Sequence, residues 1–247
     1  MYIHTDGIII KQVKMPDDRK MLILFSKNLG KISVATNNQY PTKNKSNMAM
    51  QSFNYGKYVL YKVKGYYYFN QGDILKSYYR IGEDIEKYAC TSYVFELTDA
   101  NLIEGKPESH LFDLLLDFLE VIEKRKKEHI LLVRAFEIKL LASTGIMPSL
   151  NECVRCGNPH TNEFSMANGG LICEDCKEKD ELILKLDNNI IKVIKYLENN
   201  SLRALENLTL DQKILEKLNY FMNIYLENYM GTNNMKSKMF LKTIIKK

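Results

Sequence analysis

Cys153-Val154-Arg155-Cys156 and Cys173-Glu174-Asp175-Cys176 decide how this chain is read. Residues 157 to 172 separate the two pairs, a gap inside the roughly 15–20 residues expected between the Cys-x-x-Cys halves of a zinc site. Each Cys-x-x-Cys turn lets two thiolates converge on one ion. Two such turns complete a tetrahedral shell with no open position, so the expected Zn2+ is structural rather than catalytic. Gly157-Asn158-Pro159 after the first pair and Gly169-Gly170 before the second supply the turns of two knuckles joined by a small hairpin. His160 stands close enough in sequence to substitute for one thiolate. The competing reading, redox pairs or a disulfide staple, suits small secreted domains. The opening Met1-Tyr2-Ile3-His4-Thr5-Asp6-Gly7 has neither the basic nor the long apolar region of a signal peptide, so the expected compartment is cytoplasmic.

Outward from the cysteines, 247 residues allow one or two domains with a sizeable core. The metal is therefore an accessory to the fold and not its only support. Hydrophobic residues at 45% and charged residues at 26% are ordinary for a soluble protein, and no apolar run approaches the ~18 residues of a membrane span. Cys90, the fifth cysteine, lies in a helical pattern and is expected as a buried small hydrophobe. The net charge of +5 is unevenly placed: residues 1–80 hold 13 Lys and Arg against 4 Asp and Glu, whereas residues 81–247 hold 22 against 26.

That basic front reads as strands. Gly7–Val13, Lys20–Phe25, Lys31–Ala35, Lys57–Lys64 and Tyr66–Tyr79 are rich in β-branched and aromatic residues, with Asn28-Leu29-Gly30, Gly65 and Gly72 between or within them. Five strands in about 80 residues suit a small barrel, whose closure removes exposed edges. Lys57, Val59, Tyr61 and Val63 alternate with Tyr58, Leu60, Lys62 and Lys64, so neither face is wholly apolar. Lysines neutralise phosphates and aromatic rings stack on bases, and ten of the sixteen tyrosines fall in this segment. The same rings would also fill a barrel core. Asn37 to Asn54 forms a long polar loop, where Lys43 and Lys45 are candidates to track a phosphate backbone.

From Ile81 the hydrophobic period changes from two to between three and four. Helices are expected over 83–103, from Ser109 to the basic run Lys124-Arg125-Lys126-Lys127, and over 128–143. Asp187 then caps a further helix, and Thr209-Leu210-Asp211-Gln212 has the form of a capping box opening a long one. The tail carries Lys236 and Lys238 in a lysine-rich, acid-free stretch. P-loop, Gly-x-Ser-x-Gly and His-Glu-x-x-His motifs are absent. Asp17-Asp18 and Asp113/Asp117 are the acidic groupings to weigh for a metal-dependent nuclease, and neither carries the further ligands that two-metal chemistry requires.

Several stretches resemble the RecO family of DNA repair proteins. They include Thr5-Asp6-Gly7-Ile8-Ile9-Ile10, Phe25-Ser26-Lys27-Asn28-Leu29-Gly30-Lys31-Ile32, Ser109-His110-Leu111-Phe112-Asp113 and Lys139-Leu140-Leu141-Ala142-Ser143-Thr144-Gly145. The specific part is Cys153-x-x-Cys156-Gly157 with Gly169-Gly170-Leu171-Ile172-Cys173-x-x-Cys176. The resemblance implies an α+β protein: an N-terminal OB-fold β-barrel over 1–80, then an α-helical domain over 81–247 with the four-cysteine zinc module, 150–180, embedded in it. It also implies a non-enzymatic recombination mediator, cytoplasmic and nucleoid-associated, that binds single- and double-stranded DNA and anneals complementary strands. Its implied partners are RecR, the acidic C-terminal tail of single-strand binding protein and, indirectly, RecA.

On this reading Arg19, Lys31, Lys43, Lys45, Lys62, Lys64, Lys236 and Lys238 meet phosphates, while Tyr58 and Tyr66 stack on bases. Lys124, Arg125, Lys126, Lys127 and Arg134 take the acidic tail, an assignment resting on charge. Cys153, Cys156, Cys173 and Cys176 hold the metal. The rival from another class is an RNA-binding protein of translation or ribosome assembly built on the same two modules.

Overall fold

Alternating inward and outward residues build five strands into a closed barrel. β1 (Tyr2–Lys14), β2 (Lys20–Ser26), β3 (Gly30–Ala35), β4 (Asn54–Val63) and β5 (Tyr66–Ser77) are ordered β1-β2-β3-β5-β4, the topology of an OB-fold. The computed structural model describes residues 1–15, 20–36, 48–178 and 182–245. The chain divides into two compact units, Met1–Lys124 with Met235–Lys247, and Arg125–Asn234.

In the first unit, β1 serves two neighbours. Its early residues pair with β4 from Tyr2↔Tyr61 to Ile8↔Tyr55, and its later ones with β2 from Gly7↔Ser26 to Lys14↔Lys20. A register shift between Ile9 and Lys11 provides the bend that this double duty needs. The barrel closes through a short parallel pairing, Val34↔Tyr67 and Ala35↔Tyr68. Ile9, Leu22, Leu24, Ile32, Val34, Tyr58, Leu60 and Phe69 fill the interior, joined by Ala49 and Met50. Burial of each large side chain contributes roughly 1.5–3 kcal/mol. The Tyr58 hydroxyl donates to the Ala49 carbonyl at 2.9 Å, and Gln12 Nε2 donates to that of Met50 at 2.6 Å. The end of the stretch read as a polar loop is thus part of the barrel core.

Helices complete this unit. Asp84 caps α1 (Ile85–Asn101), accepting from the amides of Glu86 and Lys87. Cys90 is fully buried in α1, as expected. α2 (Ser109–Lys124) sets Phe112 edge-on against Phe25 at 5.2 Å, and its Glu120 accepts from Lys76 and from the Tyr78 hydroxyl. Between these helices, Gly105 donates to the Lys31 carbonyl at 2.8 Å. Gly30 permits that approach: it has φ +70°, and a Cβ there would stand 2.1 Å from the Lys106 carbonyl oxygen. The chain's last helix, Lys236–Ile245, returns to pack on α1.

The second unit is helical around a small sheet. α3 (His129–Thr144) is buried on nearly every face, which marks it as its central helix. α4 (Asn188–Asn199) and α5 (Gln212–Met230) pack on it, and the last helix of the first unit is α6. β6 (Glu163–Ser165), β7 (Gly170–Ile172) and β8 (Ile183–Lys185) form the sheet in the order β7-β6-β8. Asp187 caps α4 as expected. Asp211 caps α5, two residues past the expected Thr209, because its carboxylate accepts from the Lys213 amide at 3.0 Å. No helix among the described residues is long and apolar enough to cross a membrane.

Candidate nucleic-acid interface and metal centre

The two Cys-x-x-Cys turns fold as knuckles. Gly157 donates to the Cys153 carbonyl at 2.8 Å and Cys176 to the Cys173 carbonyl at 3.0 Å, curling each pair back on itself. Gly170 has no room for a side chain: a Cβ there would meet Val154 Cγ1 at 2.3 Å and Ser149 Cβ at 2.9 Å. The result brings the ligand atoms of Cys153, Cys156, Cys173 and Cys176 within 4.8 Å of one another, with Cys156 and Cys173 sulfurs 3.5 Å apart. Zn–S bonds of ~2.3 Å in a tetrahedron require sulfurs roughly 3.8 Å apart, so the four thiols fit a zinc ion.

The electrostatics of the knuckle suit ligands. Burial opposes ionisation of the Cys153 thiol, but amides of Cys156, Arg155 and Cys173 directed at its sulfur bring it down to about 6. The Cys176 S–H, by contrast, donates to Cys173 and Cys156, and these bonds together with burial push its thiol up to about 12. An amide-supported thiolate is the state that binds zinc. His160 lies exposed and outside the cluster, leaving a four-thiol set.

A second feature lies on the barrel. A cavity of about 610 Å³ opens between the outer side of β2–β3 and the start of β5. Met15 borders it from just past β1, Lys20 from the start of β2, Ser33 from β3, and Gly65, Tyr66 and Tyr68 from the β4–β5 turn and beyond. Glu104 is its acidic member. In an OB-fold, strands 2 and 3 with these two loops form the oligonucleotide-binding face. Tyr66 is 71% exposed, the most open aromatic ring among the exposed large side chains of the described residues.

Comparison with known proteins agrees on both halves. A family model described as the recombination protein O N terminal matches residues 1–78, and one for the recombination protein O C terminal matches 82–239. The chain belongs to the RecO family. The relatives it resembles include DNA repair protein RecO of Alkaliphilus metalliredigens, 30% identical over 99% of this chain and 100% of that one. That of Acetivibrio thermocellus is 29% identical over 98% and 97%, and that of Listeria monocytogenes serotype 4b is 28% identical over 98% and 94%.

Against this RecO background the expected site residues separate. Lys62, Lys64 and Tyr66 come together, exposed, at the β4–β5 turn beside the cleft. Lys62 Nζ stands 4.6 Å over the Tyr67 ring and 3.0 Å from its hydroxyl. Tyr58 does not join them: at 1% exposure it sits inside the barrel, where no base can reach its ring. Lys31 turns its ammonium to Asp99, 2.7 Å from the carbonyl oxygen and 3.1 Å from the carboxylate. Lys236 is exposed on α6, but Lys238 is buried and cannot lie on phosphate. Arg19, Lys43 and Lys45 lie outside the described residues, as do Asp17 and Asp18.

The arginines of the expected peptide site are corrected as well. Arg125 is buried and donates to the carbonyls of Leu205, Glu206 and Leu208, tying down the turn before α5. Arg134 is buried against Glu137 at 2.8 Å and against Asn219 and Asn223 of α5. Lys124, Lys126 and Lys127 remain exposed. Lys20 and Tyr68 line the cleft but escaped the sequence reading. The β1–β2 hairpin pairing Lys14↔Lys20, and the alternation that sends Tyr68 outward beside inward Phe69, were the signals for them.

Proposed function

We propose that this RecO-family chain binds single-stranded DNA in the barrel cleft and anneals complementary strands without catalysing a reaction. The observation supporting this most directly is that exposed Tyr66 and Lys20 line a cavity on the β2–β3 face, with Lys62 and Lys64 exposed at the β4–β5 turn that borders it. Tyr66 stacks on an unpaired base while the lysines neutralise its phosphates. Lowering the charge on a bound strand reduces its repulsion for a complement, so annealing proceeds without ATP. By family membership the reading extends to double-stranded DNA, to RecR as partner, and to helping RecA replace single-strand binding protein on DNA. An acidic tail of that protein would meet the exposed Lys124, Lys126 and Lys127. The four cysteines would hold a structural Zn2+ that stiffens the second unit.

The test is fluorescence anisotropy of the full chain with a labelled single-stranded oligonucleotide across a salt series, followed by annealing of two complements with and without single-strand binding protein. The logarithm of the affinity is expected to fall linearly with log salt, each Lys→Ala at positions 20, 62 or 64 reducing the slope by about 0.7. Salt-independent binding, or an unchanged affinity in Tyr66→Ala, sinks the cleft reading. A marked preference for RNA of matched sequence, with no annealing, would move the protein to translation or ribosome assembly instead.

A further inference from the structure

Beyond the cleft, the outer face of the barrel carries three tyrosines in register on adjacent strands. Tyr2 of β1 is opposite Tyr61 of β4, and Tyr61 is opposite Tyr68 of β5. Directly opposed residues share a face, and Leu60↔Phe69 beside them points inward, so this row points out. Tyr2 is 60% and Tyr61 42% exposed, with ring centroids 5.3 Å apart. Tyr68 belongs at once to this row and to the cleft wall.

We infer that a strand bound in the cleft continues over Tyr68, Tyr61 and Tyr2, so that the tyrosine row is a second stretch of single-stranded nucleic-acid site. The inference rests on the cleft reading and extends it. Continuity through Tyr68 fixes where the strand leaves the cleft. Charge supports the direction. The N-terminal ammonium, 3.5 Å from the Lys62 carbonyl, borders this end of the face, and exposed Lys64 follows in the β4–β5 turn. Toward the other end of β4 the face turns acidic, with Asp6 and Asp73 opposite Lys57. A polyanion is drawn to the first end and turned from the second. Three strands spaced ~4.8 Å apart give a row about 10 Å long, and bases rising ~3.4 Å each would place two or three nucleotides on it.

The experiment measures the affinity of the full chain for oligothymidylates lengthened one nucleotide at a time, in parent, Tyr66→Ala, and the double variant Tyr2→Ala/Tyr61→Ala. Both rings of the double variant are exposed, and thermal unfolding checks that it folds as the parent does. The double variant is expected to match the parent on the shortest oligonucleotides that bind. It should then plateau two or three nucleotides earlier, ending about tenfold or more weaker on long ones. Phenylalanine at both positions should restore the parent's length dependence, because stacking needs the ring and not the hydroxyl. A double variant indistinguishable from the parent at every length overturns the inference, as does one weakened equally at all lengths. Sedimentation of the parent as a dimer that the double variant dissociates would assign the row to a second copy of the chain and overturn it too. If Tyr66→Ala weakens short oligonucleotides while the double variant changes nothing, the cleft stands and only the track fails. If Tyr66→Ala is also silent, the cleft reading itself has failed.

Discussion

The two units put their cations and their cores to opposite uses. In the barrel unit, Lys20, Lys62 and Lys64 stand exposed around a cleft, over an interior built from ten buried side chains. In the second unit, Arg125 and Arg134 are turned inward as ties, while the knuckle core among the described residues is small: Cys153, Ile172 and Cys173, with Cys176 and Ile183 against it. One unit is built on apolar burial and leaves Lys20, Lys62 and Lys64 at its surface, although its Lys31 and Lys76 are tied to Asp99 and Glu120. The other uses planar guanidinium forks, suited to carbonyls and carboxylates, to hold its helices and leaves its knuckle to the thiols. A count of positive residues cannot distinguish these uses.

The largest test of the contrast is loss of metal. Structural zinc contributes on the order of 10–16 kcal/mol of apparent binding free energy to the modules it organises, and the knuckle core is too small to replace it. Chelation, or Cys156→Ser, is expected to abolish amide protection at β6 and β7 while β1–β5 exchange as before, read by hydrogen exchange. Phe164 and Leu171 amides that stay protected without metal would show that sulfur ligation does not hold this unit.

Next comes the buried arginine. Arg134→Ala removes the guanidinium paired with the Glu137 carboxylate, which is fully buried, and removing one member of a buried pair costs about 3–5 kcal/mol. Lys126→Ala and Lys127→Ala should stay within about 0.5 kcal/mol, as exposed substitutions do. Urea denaturation separates the two outcomes. An Arg134 variant as stable as the parent would mean that its charge is free for a partner after all.

A finer comparison lies within the barrel. Tyr66→Ala should leave stability nearly unchanged and weaken single-stranded DNA binding by about 1–3 kcal/mol. Tyr58→Phe should leave binding unchanged and cost roughly 0.5–1.5 kcal/mol of stability, by deleting the bond to the Ala49 carbonyl. Reversed results would exchange the two tyrosines' roles.

These pairs mark what the sequence makes legible. The strands, helices and cysteine knuckles follow from local signals: period, caps such as Asp187, and the spacing of Cys153, Cys156, Cys173 and Cys176. Whether Tyr58 or Tyr61 faced inward could not be read from β4 alone, because both alternating sets mix lysine with tyrosine. Only pairing with β1 and β5 settles it. Arg134 was misread for a similar reason: its partners Asn219 and Asn223 lie some 85 residues away, about as distant in sequence as the carbonyls held by Arg125.

The smallest effect concerns how the barrel unit holds its own last helix, and there the tie is an anion. Glu96 of α1 accepts from the Ser237 amide at 2.8 Å and from the Ser237 hydroxyl, acting as a cap for α6 supplied by another helix. Burial raises its pKa, but hydrogen bonds from Ser237 and the Lys236 amide more than offset this and hold the carboxyl below its ordinary value. A carboxylate depressed on folding stabilises the fold above its unfolded pKa, about 4.3, and that contribution disappears as pH falls through the lower folded value. Amide protection across Ser237–Leu241 should therefore be full at neutral pH and fall below about pH 4. Glu96→Gln keeps an acceptor but loses the charge favoured at a helix N-terminus. It should cost about 0.5–1 kcal/mol at pH 7 and flatten the acid loss of α6 protection. An unaltered pH profile in that variant would show that apolar contacts such as Tyr88 on Phe240, 6.4 Å apart, hold α6 in place by themselves.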